Sequence, residues 1–125
     1  MVLEEISQLM EDCNVKREAL AEQRDAINQS QKELLKLAAK RLEKDDLTDL
    51  EHYQNQFHIQ LINIHDLKHD LKSFLQLLKM ESRLQDSVSE EMVKKQQELD
   101  GEFTSLQETL QNLQNDFGEF LSKPH

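Results

Sequence analysis

Apolar residues recur at seven-residue intervals through the first third of the chain. One row consists of Ile6, Cys13, Leu20, Ile27 and Leu34. The companion row, four residues later in each heptad, is largely polar and contains Arg17, Arg24 and Gln31. Heptads of this kind are typical of helices that pack along a seam. The pattern predicts a helix over residues 2–44 with one apolar and one polar seam position.

A broader apolar face follows in the middle of the chain. Its members recur at helical spacing: Leu50, Phe57, Leu61, Ile64, Leu67, Leu71, Phe74, Leu75 and Leu78. Before this segment, Asp45 and Asp46 are poor helix formers, and Thr48 with Glu51 has the spacing of a capping box. The pattern therefore predicts a break at residues 45–47 and a second helix over 48–84.

The last segment has the most regular pattern. Its apolar residues alternate steps of four and three: Leu99, Phe103, Leu106, Leu110, Leu113, Phe117 and Phe120. Ser87 and Glu90 offer a second possible helix cap. The spacing predicts a third helix over 88–121, with a seam suited to a coiled coil.

The chain has only two glycines and one proline in 125 residues, so residues that favour turns are rare. One unbroken helix would be roughly 190 Å long, whereas three helices give a rod of about 60 Å. We therefore predict a single all-α domain over 1–125, an elongated antiparallel three-helix bundle of long amphipathic helices. The alternative is a long helical hairpin within a heteromeric coiled coil.

Charge and composition narrow the classes of function. The net charge is −10, from 25 acidic and 15 basic residues, which opposes direct binding to nucleic acid or to anionic membranes. No apolar run is long enough for membrane insertion. The single cysteine, Cys13, suits a reducing compartment, and Glu4 and Glu5 do not suit a signal peptide. We expect an intracellular protein, cytoplasmic or nuclear.

Three histidines in the middle segment are candidates for chemistry. His58, His65 and His69 share one side of the predicted helix, away from its main apolar face. His65 and His69 lie one turn apart and are weak candidates for metal ligands, with Asp66 nearby. Metal sites in helical bundles project their ligands inward, whereas these point away from the core. We expect solvated histidines and no metal or other cofactor.

The same helix carries a second apolar group, on the side opposite its main face. This group consists of Ile59, Ile62, Leu77 and Met80. A helix that is apolar on two sides is either buried between several neighbours or docked on another chain. Either the other helices wrap these residues, or they form a partner-binding surface.

Arg17 and Arg24 occupy seam positions of the first helix. In a parallel homodimer each arginine would face its own copy, and like charges would oppose each other. A different partner is favoured, or an antiparallel one, or the chain's own acidic segment, residues 87–125, which holds eight acidic and three basic residues. The simpler interpretation is that both side chains extend to water.

No pairing of nucleophile and base, glycine-rich phosphate loop or cysteine cluster is present, so we expect neither catalysis nor a small-molecule substrate. The heptads favour a non-catalytic protein-protein interaction module, a subunit or scaffold fragment of a tethering, cytoskeletal or chromosome-associated assembly. Its partners would be helical chains, in homo- or hetero-oligomers, bound through the third-helix seam, the opposite face of the second helix, Arg17 and Arg24. The alternatives are an amphipathic lipid-surface binder and a bundle metalloprotein.

Overall fold

The computed structural model describes residues 2–84 and 88–125, with side chains from residue 5 onward. Within these residues the chain forms three α-helices: α1 (Val2–Ala38), α2 (Lys44–Leu84) and α3 (Glu90–Ser122). Both α1 and α3 pack against α2. The predicted all-α three-helix bundle is confirmed. The alternative, a hairpin that needs other chains to complete its core, is not observed because α3 completes the bundle.

The first break lies earlier in the chain than predicted. Helix α1 ends at Ala38 rather than at residue 44, and α2 begins at Lys44 rather than at residue 48. The predicted cap residue Thr48 lies inside α2, where its hydroxyl donates a hydrogen bond to the Lys44 carbonyl at 3.2 Å. Asp45 and Asp46 occupy the first turn of α2. There their negative charges interact favourably with the positive end of the helix dipole, so they do not interrupt the helix.

The start of α3 is fixed by Ser89. Its hydroxyl accepts a hydrogen bond from the Met92 backbone N–H at 3.3 Å, and its own backbone N–H donates to the Glu81 carboxylate at 2.7 Å. The Glu81 contact joins the end of α2 to the start of α3. The cap predicted at Ser87 lies outside the described residues.

The core forms where the predicted stripes of the three helices meet. Its large side chains with less than 2% exposure are Phe57, Phe74, Phe117, Leu20, Ile27, Ile64, Leu71, Leu78 and Leu99. Cys13 belongs to the same cluster and is 3% exposed, as expected of a small buried hydrophobe. Burial of these apolar side chains is the main source of the bundle's stability.

Helices α1 and α3 run parallel and meet through a row of polar pairs. Three pairs repeat at heptad intervals, and the two members of each pair are 84 residues apart in the sequence. They are Lys16 with Asp100, Gln23 with Gln107, and Ser30 with Gln114. Gln107 donates to Gln23 at 2.8 Å, and the Ser30 hydroxyl donates to Gln114 at 2.9 Å. Because a shift of α3 by one turn would separate all three pairs, this row fixes the register of the two helices.

Lys16 contributes the positive charge of this row. Its ammonium contacts the carboxylates of Asp12 and Asp100, and it lies 5.8 Å from the centre of the Phe103 ring. Burial disfavours the charged form, but the hydrogen bonds that the ammonium donates to the two carboxylates outweigh it and raise the pKa of Lys16 above its ordinary value.

Aromatic rings close the end of the bundle where α2 begins and α3 ends. Phe57 and Phe117 meet edge to face with their centroids 4.9 Å apart, and Tyr53 lies 5.1 Å from Phe120. The Tyr53 hydroxyl donates to the Asp116 carbonyl at 3.2 Å. The His125 side chain is 5% exposed, and its ring packs on the Phe120 ring with the two centroids 4.8 Å apart. These contacts bind the end of α3 to α2.

Candidate protein-binding surface

The outward side of α2 carries exposed apolar side chains, which we call the outer face of α2. Ile59, Ile62, Leu77 and Met80 are 37, 48, 49 and 57% exposed. They form two pairs, separated along the helix by about 22 Å between Ile62 and Leu77. Neither α1 nor α3 wraps this side of the helix. Of the two interpretations of this group, burial by the neighbouring helices is therefore wrong.

An open groove runs beside the first of these pairs, between α2 and α3. It has a volume of about 690 Å³ and a lining that includes Leu67 and Leu106. The buried side chain of Gln60, 5% exposed, also lines it and accepts a hydrogen bond from Asn63 at 3.1 Å. We call this feature the α2–α3 groove.

Carboxylates border the α2–α3 groove on both walls. Asp66 and Asp70 lie on the α2 wall, and Glu98 and Glu102 lie on the α3 wall. Among the residues lining the groove there is no lysine or arginine. Lys72 and Arg83, which helix geometry places on the other side of the outer face, are both exposed.

The histidines lie where the sequence places them. His58, His65 and His69 are all exposed on α2. In the described part of the chain, no group of three or more histidine, cysteine, aspartate or glutamate side chains is arranged to hold a metal ion. His65 and His69 thus have no third ligand near them in this structure.

The predicted α3 seam lies inside the bundle. Six of its residues are buried and Phe103 is partly buried: Leu99, Phe103, Leu106, Leu110, Leu113, Phe117 and Phe120. These side chains contact the other two helices of the same chain. They would reach a partner only if the bundle opened.

The two predicted seam arginines occupy different environments. Arg24 is exposed and pairs with its neighbour Asp25 at 3.2 Å, so it does not contact the acidic α3. Arg17 is half-buried. Its Nε is buried and has no hydrogen-bond partner among the described residues. Lys16 and Gln23, each one position earlier in the sequence, make the contacts to α3 that one of the interpretations assigned to these arginines. The exposure of Arg24 agrees with the other interpretation, a side chain that extends to water.

Replacing Arg17 with methionine is expected to raise the free energy of unfolding by about 1 kcal/mol. A buried donor without a partner costs roughly 1–3 kcal/mol, and methionine keeps the aliphatic packing without that donor. Urea unfolding of the two proteins measures the difference. The matched change Arg24→Met, at an exposed position, should alter stability by less than about 0.5 kcal/mol. A loss of stability in Arg17→Met would contradict this explanation.

The sequence reasoning missed the α2–α3 groove and the polar row between α1 and α3. A signal for the row is visible in the sequence, because Lys16, Gln23 and Ser30 repeat at seven-residue intervals. The groove has no such signal, since it depends on how far apart two helices lie.

None of the helices in residues 2–84 and 88–125 combines the length and apolar character that a membrane crossing requires. Comparisons with protein-family models, with curated proteins and with solved structures found no match to this chain.

Proposed function

We propose that this protein is a non-catalytic interaction module, a helical scaffold that joins other helical proteins into an intracellular assembly. The observation that carries the proposal is the outer face of α2. Its apolar residues Ile59, Ile62, Leu77 and Met80 stay exposed although the bundle core is complete without them. Exposed apolar residues that recur along one helix face are typical of a docking site for another helix.

The shape of the bundle supports the same role. Helix α2, with 41 residues, is about 60 Å long, and its outer face, from Ile59 to Met80, extends over about 32 Å of it. Helical partners recognise such surfaces through side chains at intervals of three and four residues. A rod with partners along its side suits tethering or scaffolding.

The test is recovery of partners by the 125-residue chain with two exposed isoleucines replaced. Ile59→Ser with Ile62→Ser should reduce the amount of each cross-linked partner at least about fivefold, because both anchors at one end of the face are lost. Quantitative mass spectrometry after cross-linking in cell extract measures this reduction. Neither change should unfold the chain, since both side chains are exposed.

Val15→Ser is the matched control, because Val15 is 56% exposed on α1 and lies off the outer face of α2. This variant should recover partners as the wild type does. Equal recovery by all three proteins, or recovery of no partner by the wild type, would refute the proposed function.

A further inference from the structure

The α2–α3 groove is long enough for about three turns of one further helix. The α2 residues that line it extend from Gln60 to Asp70, and the α3 residues extend from Gln97 to Thr109. These spans correspond to about 15–18 Å, or roughly three helical turns. Ile59 and Ile62 extend the surface at the end of the groove near Gln60. A docked helix would therefore meet apolar side chains at the groove and beside it.

Gly101 leaves space on the α3 wall of the groove. A Cβ atom built at this position meets nothing within 4 Å. Glycine in the middle of a helix is unfavourable relative to alanine, so its presence costs α3 stability. The missing side chain lets another backbone approach α3 closely.

Most of the negative charge on the rim of the groove has no cation beside it. Asp66 and Asp70 lie one turn apart on α2, and Glu98 and Glu102 lie one turn apart on α3, so each pair places like charges side by side. Within the described residues, Asp66, Asp70 and Glu102 contact no cation, and Glu98 meets only Lys95 at 4.0 Å. Such pairs destabilise a helix unless a cation approaches them.

We propose that the α2–α3 groove binds a basic amphipathic helix of another protein, with its apolar side on Ile59, Ile62 and the floor of the groove and its lysines or arginines against the four carboxylates. This inference rests on the proposed function and names the chemistry of the partner. Charge complementarity favours a different chain over a second copy of this one, because that copy also carries a net charge of −10.

The test uses the full chain and a synthetic helical peptide of about 18 residues, with leucines on one side and lysines on both flanks. Fluorescence anisotropy should show saturable binding that weakens as salt is added. A peptide with glutamate in place of every lysine should not bind. Glu98→Gln with Glu102→Gln should weaken binding of the lysine peptide about fivefold, which is the effect expected from the loss of two exposed ion pairs.

The matched control is Glu18→Gln with Glu22→Gln, which removes an equally spaced and exposed acidic pair from α1. It should change binding less than about twofold, since only general charge attraction is altered. A second comparison fills the groove: Gly101→Gln should weaken binding, whereas Gly118→Gln, also with open space around it, should not. Circular dichroism melting would verify that all variants remain folded.

Equal binding of the two peptides, absence of binding by the lysine peptide, or equal effects of the two glutamate pairs would overturn the inference. Its failure is distinguishable from failure of the proposed function. If natural partners are lost in the Ile59→Ser and Ile62→Ser variant while the lysine peptide does not bind, only the assignment of a basic helix is wrong.

Discussion

Replacing Phe57 with alanine is expected to lower the free energy of unfolding by about 3–5 kcal/mol. The Phe57 side chain is fully buried, at 0% exposure, in the core cluster. Its ring also packs edge to face on Phe117 at 4.9 Å and lies 6.3 Å from Tyr53. Alanine would remove the contact of Phe57 with Phe117 between α2 and α3 and leave a cavity that the helices cannot readily close.

Urea unfolding followed by circular dichroism would measure the loss. Leu84→Ala is a suitable control, because Leu84 is 82% exposed at the end of α2 and should contribute less than about 0.5 kcal/mol. A loss below about 1 kcal/mol in Phe57→Ala would mean that these rings do not form the core described.

The second large effect is expected from alkaline pH. Burial raises the pKa of the Cys13 thiol from an ordinary value of 9.0 to about 11, and the nearby Asp12 carboxylate adds to the rise. The folded state thus binds this proton more tightly than the unfolded state. The stability it contributes is fully present below about pH 9 and is lost as the pH rises through 11. The loss should reach roughly 2 kcal/mol by about pH 11.

Two other groups act in the same direction. The pKa of Lys16 is raised because its paired carboxylates outweigh burial, and the pKa of Tyr53 is raised by burial and by Asp116. Both add to the loss above about pH 10. Urea unfolding at a series of pH values from neutral to alkaline would measure the combined fall.

Cys13→Ala tests the assignment to the thiol. The variant should be less stable at neutral pH because it leaves a small cavity, but its stability should fall less steeply between about pH 9 and 11. The same slope in both proteins would show that Cys13 does not contribute. A rise in wild-type stability over this range would contradict the sign of the effect.

The sequence predicts the elements and the core of this fold because those depend on periodicity. The residues from Leu99 to Phe120 follow the heptad without interruption, and the structure places them in the core or at its edge. Asp45 and Asp46 were misinterpreted because an aspartate that is unfavourable inside a helix is favourable in its first turn. Only the position of the turn distinguishes the two cases, and the pattern does not give that position.

Contacts between helices are harder to predict than the helices themselves. Arg17 and Arg24 were assigned to the seam by counting heptads, whereas Lys16 meets α3 and Arg24 faces solvent. A rotation of α1 by one residue, about 100°, decides between these assignments. That rotation depends on the packing of all three helices.

The candidate site was predicted in part. Exposure of Ile59 and Ile62 follows from their place opposite the main stripe of α2, but the sequence left open whether another helix covers them. The groove beside them brings together α2 and α3 residues that are about 30 positions apart or more in the chain, and its acidic rim becomes visible only when the helices are placed side by side.

The central claim is that one chain forms the whole bundle, with α1 parallel to α3 in the register of the polar row. Treatment of Gln23→Cys with Gln107→Cys with a short bismaleimide cross-linker, in a Cys13→Ala background and in dilute solution, tests it most directly. We expect an intrachain cross-link in the monomer and little in Gln23→Cys with Gln114→Cys, which is out of register by about 10 Å. A cross-link that forms equally in both variants, or only between chains, would contradict it.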